Sequence, residues 1–475
     1  MERLLNHLPP IRGQDALSRL HEILLFLRAY PASPRIVRQA DSILAGFALR
    51  IDDAAAFTAP EISGIAGTLF AAVFSHEVAR RLAKRHGRAI TADWDGYEFP
   101  DSFGAALAKR LPLFAEDWPI EANVPYRAWL GSRGLRWLTT HLTAAEYDAL
   151  RLPVLWRLGS STATRSRSRW PARIFYHDGP LLRRSDVSLD TEMSVPPLPI
   201  AKCSARQAGR LLDRILDTSA VRYRELYGFT WPDRRHILWA EAGRGVRICF
   251  FGVPPGRRLP LRAYHCGMFF KNGVPIGYFE TLSLFERAEV GFNLYYTFRD
   301  GETAWLYARL LRLLRQWLGV TAFSVDPYQV GLDNDEAIES GAFWFYRKMG
   351  FRPLAAEVAR LTEREETRLR ATPGYRTPLP VLRRMARGGL IYNGGPEWDR
   401  FSVRNLGLRL SPRGDGPAGW KQVFAAIADF EHWPHAERRA AAEIARAREG
   451  PTEVRYLKLL QRFARLRAAV LKLGS

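Results

Sequence analysis

The amino-acid sequence predicts an α+β protein: a mixed sheet with flanking helices in the middle of the chain, a mainly α-helical N-terminal domain before it and a helical C-terminal tail after it. Three observations predict this. Residues 263–298 alternate β-branched and aromatic runs with turn residues. Residues 302–353 alternate helical and extended patterns, and both flanks carry apolar stripes at helical spacing.

In the central region, Pro199–Lys202 reads as a first strand. Ser204 and Gln207 form a capping box for a helix over 208–217, with Leu211, Leu212 and Ile215 on one face. Gly245–Val253 is a strand, and Gly243-Arg244-Gly245 before it is no more than a turn. Tyr264–Phe270 and Val274–Phe285 are strands joined by Lys271-Asn272-Gly273, whose Asn-Gly pair suits a tight type I′ hairpin. Ala288–Phe298 is the next strand. Glu302–Leu318 is a helix with Trp305, Ala308, Leu311 and Leu314 as its stripe, and Val320–Val325 is a short buried strand. Residues 334–353, NDEAIESGAFWFYRKMGFRP, read as one amphipathic helix running into a strand. Ile338, Ala342, Phe345 and Met349 make its apolar stripe. Asn334 or Asp335 caps its start, Arg347 and Lys348 occupy its last turn, and Gly350 supplies the left-handed residue that stops it.

The flanks are helical. Residues 15–30, 33–49, 65–86 and 102–113 carry helical stripes, and Thr143 with Glu146 forms a capping box for a helix through Arg151. Beyond a linker containing Pro373, Pro378 and Pro380, helices are expected over 420–430 and 435–473, the second broken near Gly450-Pro451. The expected division is 1–155 for the helical domain, 156–189 for a linker or loop, 190–360 for the mixed-sheet domain and 361–475 for linker and tail.

Composition sets outer limits. A chain of 475 residues exceeds one hydrophobic core. With 47% apolar and 25% charged residues it belongs with folded, soluble chains. No apolar run reaches the ~18 residues of a membrane span, and the start of the chain lacks a secretory apolar region, so a cytoplasmic location is expected. Cys203, Cys249 and Cys266 have no paired spacing for zinc or a disulfide framework. No phosphate-loop lysine motif, Gly-x-Ser-x-Gly elbow or His-Glu-x-x-His motif occurs. The 70 Lys and Arg against 49 Asp and Glu leave a net charge of +21, which invites a polyanionic partner such as tRNA or another nucleic acid. The densest clusters are Arg165–Arg169 (RSRSR), in a Ser/Thr-rich stretch that reads as a mobile loop or linker, and the arginines of 438–448. Glu437, Glu443 and Glu449 accompany the latter, which reads as a solvated helix face.

The ending Phe345-Tyr346-Arg347-Lys348-Met349-Gly350-Phe351 resembles the last motif helix and turn of the GNAT acyltransferases, which move an acetyl group from acetyl-coenzyme A to an amine. The order of strands and helices from 263 to 353 is similar to the central and C-terminal part of that fold. The resemblance implies an acyl-CoA co-substrate, an amine-bearing acceptor and no metal. It implies that Asn293, Leu294 and Tyr295 lie where the family's strand binds the pantetheine arm through its backbone. It places Arg299, Gly301, Thr303 and Ala304 in the loop that holds the coenzyme phosphates at a helix N-terminus. It gives Tyr346 the role of general acid toward the leaving thiolate, and a strand carboxylate or His the role of base: Glu289 first, with Glu280 and His265 nearby. The sequence departs from the family where Asp300 and Glu302 stand at usual glycine positions and Glu339 at a frequent asparagine. Three readings therefore stand together: an acyl-CoA-dependent N-acyltransferase, a transferase using an aminoacyl-tRNA donor, and a non-catalytic binding or scaffold module of the same fold.

Overall fold

Twelve strands form two sheets in the computed structural model, which describes residues 2–6, 8–9, 11–110, 130–131, 134–410 and 419–475. The chain divides into two units, Met1–Asp178 with Ala205–Thr230 and Phe270–Pro275, and Gly179–Ser204 with Trp231–Phe269 and Ile276–Ser475.

The first unit contains helices α1 (Gln14–Ala29), α2 (Pro34–Ala45), α3 (His76–His86), α4 (Gly134–His141), α5 (Ala144–Leu150) and α6 (Ala205–Ala220). It also contains an antiparallel sheet in the order β1 (Leu69–Val73), β3 (Pro153–Arg157), β2 (Ile90–Ala92). The helix expected over 65–86 therefore begins as a strand. Pairing of Leu69–Val73 with β3 overrides a locally ambiguous run, as tertiary context does for short apolar segments. The helix expected over 102–113 covers Pro100–Ala108, and its last three residues lie outside the described ones. The capping box of Thr143 and Glu146 forms as read. The core includes Phe70, Leu82, Leu138, Tyr147 and Trp156 together with Leu216, Ala220 and Val221. That packing explains why α6 groups here although the strands beside it in sequence do not.

The Arg165–Arg169 run corrects the expectation of a mobile linker. Arg165, Ser166 and Ser168 are buried. Arg165 donates to Glu22 Oε1 at 2.5 Å and to the Glu61 carbonyl at 2.6 Å. The Ser166 hydroxyl meets His21 Nε2 at 2.8 Å and accepts from the Ala66 amide, while Arg28 donates to the Ser166 carbonyl. Composition signalled water because every partner is remote in sequence. We predict that Arg165→Ala lowers stability by about 3 kcal/mol, since it strands a largely buried carboxylate; a urea midpoint unchanged from wild type would refute this.

The second unit is built on a nine-stranded mixed sheet, order β11-β12-β10-β9-β8-β7-β6-β5-β4. Its strands are β4 (Ile200–Lys202), β5 (Leu238–Gly243), β6 (Val246–Gly252), β7 (Ala263–Lys271), β8 (Val274–Leu284), β9 (Arg287–Leu294), β10 (Ala322–Val325), β11 (Arg352–Pro353) and β12 (Leu390–Tyr392). Asn272 and Gly273 both take positive φ, as the predicted hairpin requires, although that tip counts with the first unit. β4–β5–β6, β8–β9 and β10–β12–β11 pair antiparallel, while β9 and β10 run parallel. The sheet thus extends past residue 360 through β12.

The helices of this unit include α7 (Thr303–Leu318), α8 (Asp335–Glu339), α9 (Ala342–Lys348), α10 (Ala356–Ala371), α11 (His435–Ala447), α12 (Glu453–Gln461) and α13 (Ala464–Gly474). The single helix expected from 334 to 350 is two, because Gly341 adopts φ 69° between them. Gly350 is left-handed, as expected. The C-terminal helix breaks near Gly450-Pro451 as read, and again after Gln461. No helix among the described residues is long and apolar enough to cross a membrane.

Glu453, at the start of α12, is buried and accepts from the Tyr264 amide at 3.3 Å. Burial raises its carboxyl to about 7, against the pull of Arg258, the Tyr264 amide and Arg448. The folded state therefore holds a proton that the unfolded chain releases near 4.5. Its contribution, about 3 kcal/mol at most, is complete below that value and disappears as pH rises through 7. Glu453→Gln should flatten the decline in stability between pH 5 and about 8, measured by chemical denaturation.

Candidate functional site

Alternation along β9 sets two faces. Ala288, Val290 and Phe292 pair with Ser283, Thr281 and Phe279 of β8 on one face; Glu289, Gly291 and Asn293 pair with Leu282, Glu280 and Tyr278 on the other. The first face lies under α7, where the Phe292 and Tyr307 rings approach to 5.2 Å. β10 pairs with β9 only from Arg287 to Glu289. Beyond Val325 the chain turns into a helical turn at Pro327–Val330, capped by Asp326 Oδ1 accepting from the Tyr328 amide at 2.9 Å. Residues 290–294 of β9 consequently have no strand partner on that edge among the described residues. A Cβ placed on Gly291 would find only the Gln329 side-chain nitrogen and the Glu280 carbonyl, both at 3.8 Å.

The loop after β9 is tighter than the resemblance implies. The strand expected to reach Phe298 stops at Leu294, and Tyr296–Phe298 is a 3-10 turn. The amides of Arg299 and Gly301 bond the Tyr296 and Phe298 carbonyls, and Gly301 has no positive φ. The Gly301 amide is thus used inside the turn. Arg299 donates to the Leu294 carbonyl at 3.2 Å and pairs with Glu336 at 2.6 Å, and the Thr303 hydroxyl donates to the Arg299 carbonyl. Ala304 is buried. Tyr295 donates its amide to the Ile276 carbonyl, and the Asn293 side chain donates to the Tyr278 hydroxyl at 3.2 Å.

Glu302 does not compete at the helix start. It is 1% exposed, pairs with Arg244 at 2.6 Å and accepts from the Leu182 amide at 3.3 Å. As the N-cap residue of α7 it makes no side-chain bond to the first-turn amides. The carboxylate that the sequence sets at this N-terminus has turned inward, leaving the positive end of a 16-residue helix without a side-chain cap.

Tyr346 is 4% exposed and sits edge-on to Tyr307, ring centroids 5.4 Å apart, with Phe345 and Phe351 beside it. The break at Gly341 turns Phe343 and Tyr346 inward instead of the Ala342–Phe345 stripe. The Tyr307 hydroxyl is buried without a partner among the described residues. Burial raises both phenols well above their ordinary values.

The carboxylates lie on the opposite face. Glu289 is held by Arg262 at 3.3 Å, with Arg287 at 3.9 Å. Glu280 accepts from the Tyr264 hydroxyl, and burial raises its pKa despite that bond. His265 faces α7, with its ring 4.5 Å from Trp317, and burial lowers it to about 3, which removes it as a base for the Glu280 face. The structure therefore brings Glu280 and Glu289 together, and separates both from Tyr346 by the thickness of the sheet. Sequence reading passed over Tyr264, Tyr307 and Arg244. Strand alternation from Glu280 could have found Tyr264, whereas nothing local marks Arg244.

The chain matches no protein-family model, no curated protein and no solved structure. Among the described residues no group of His, Cys, Asp and Glu could hold a metal ion. From the Glu302–Arg244 pair we predict that Glu302→Gln costs about 3 kcal/mol of stability. Arg244→Met added to it should recover part of the loss; a double variant as unstable as the sum of both single variants would contradict the pairing.

Proposed function

We propose that the second unit is a GNAT-like acyltransferase domain that moves an acyl group from a CoA thioester to an amine. The observation that carries this reading is the open edge of β9 at residues 290–294, beside the uncapped start of α7. Strand groups without a partner can bind an extended amide-bearing arm. First-turn amides with the helix dipole favour phosphate. Asn293 and Leu294 would hold the arm, the Tyr295 amide and carbonyl being used within the chain, and Thr303 and Ala304 the phosphates, with the Arg299 guanidinium at the same turn.

The coenzyme supplies an activated acyl carbon and a thiolate leaving group. Glu280, rather than the arginine-paired Glu289, takes the proton from the attacking amine, since burial already raises its proton affinity. Tyr346 gives its proton to the departing sulfur from the other face. Its raised pKa keeps that proton in place until a stronger base forms. Held close, the two reactants also gain from proximity.

A second reading, a module of this fold that binds without catalysing, is favoured by the closed turn at 295–301. A donor carried on tRNA would instead suit the +21 charge. Calorimetric titration with acetyl-CoA separates them. Acyl-CoA use predicts Kd values in the micromolar range, about −8 kcal/mol, weakened by Ala304→Asp. In an amine-acceptor screen Tyr346→Phe should lower kcat on the order of 100-fold with coenzyme affinity kept, and Glu280→Gln should remove the ascending limb of the pH–rate profile. Absence of binding heat at millimolar acetyl-CoA rejects the reading.

A further inference from the structure

Helices α11 and α12 meet at a corner containing Gly450, Pro451 and Thr452, and the corner encloses a cleft of about 570 Å³. Arg439, Glu443 and Arg446 line it from α11 at the four- and three-residue spacing of one helix face, and Arg455 lines it from α12. The ion pairs sort the cations here. Arg438 pairs with Glu431, Arg448 with Glu449, Arg465 with Glu437 and Asp429, and Arg467 with Glu286 and Glu397. Among the described residues the one carboxylate lining the cleft, Glu443, is held by Arg455 at 2.8 Å. Arg439 and Arg446 are exposed and make no ion pair among the described residues. Glu437 and Glu449 thus neutralise cations elsewhere, Glu443 offsets one of the three lining arginines, and the cleft stays positive.

Arginine forks suit phosphate oxygens. Arg439 and Arg446 are about 10 Å apart along α11 by helical rise, so their long side chains can engage neighbouring phosphates of one backbone. Among the described residues no aromatic ring lines the cleft, so it offers no platform for stacking an unpaired base. The lining also lacks the large apolar face with which a surface helix enters a membrane. We propose that the α11–α12 corner binds the sugar–phosphate backbone of a nucleic acid without reading its sequence. This site is independent of the acyl-transfer reading.

The test is fluorescence anisotropy of the full-length protein with two labelled 16-base-pair RNA duplexes of unrelated sequence, between 50 and 200 mM salt. Both duplexes should bind alike, with affinity falling steeply as salt rises. Arg439→Gln/Arg446→Gln should make the log–log salt slope shallower by about two, and weaken binding at 100 mM salt on the order of tenfold or more. The control Arg364→Gln/Arg370→Gln removes the same charge from the exposed face of α10 and should leave the slope unchanged; thermal melts show that both variants fold. Equal losses in the two double variants, strong preference for one duplex, or binding to phosphatidylserine vesicles lost on Arg439→Gln/Arg446→Gln with no binding to RNA would each overturn the proposal.

Discussion

The geometry of the second unit depends on how β10 ends. Its four residues pair with β9 for three positions, and then Asp326-Pro327 intervenes. Proline has no amide to donate to a ladder, and its ring fixes the backbone for a helical start. Asp326 completes the departure by capping that start through the Tyr328 amide. β9 meanwhile continues to Leu294 because β8 pairs with it throughout. A strand edge in the middle of a sheet is thereby left open by local covalent chemistry. Elsewhere such edges are paired or covered.

Burial of Glu302 is the second constraint, and it acts on the same place. A carboxylate removed from water costs several kcal/mol unless its partners compensate. Arg244, in the turn between β5 and β6, and the Leu182 amide supply that compensation. The same residue in an exposed rotamer would offer its charge to the first amides of α7, the ordinary use of an acidic residue there. Drawing it inward fixes the loop after β9 and keeps the helix end positive.

Features decided within a few residues were legible in the sequence. The Asn272-Gly273 turn, the Thr143–Glu146 cap and the left-handed Gly350 each follow from local stereochemistry. Features decided by distant partners were not. Arg165 looked like linker because Glu22 and the Glu61 carbonyl are far away in sequence. Leu69–Val73 became a strand because β3 lies beside it. At the candidate site, the residue types of Tyr346, Glu280 and Glu289 were visible, but not which face each occupies. That depends on register with β8 and on one glycine. Helical periodicity carried unbroken from Asp335 puts Phe345 in the core and Tyr346 at its margin; Gly341 resets the phase and exchanges them.

This exchange bears on why a tyrosine stands there at all. A buried hydroxyl without an acceptor costs about 1–3 kcal/mol relative to one that is bonded, and the Tyr307 hydroxyl, next to the Tyr346 ring, is buried without a partner among the described residues. Phenylalanine at position 307 would fill the same aromatic cluster, with Phe292, Phe345 and Phe351 already in place, and would carry no such penalty. Packing therefore gives no reason for the Tyr307 phenol. In the proposed transfer, the Tyr346 phenol, which keeps its proton through burial, is suited to give that proton to a base that exists only during reaction. That base is the leaving thiolate, to which the Tyr346 hydroxyl would make its hydrogen bond in the transition state.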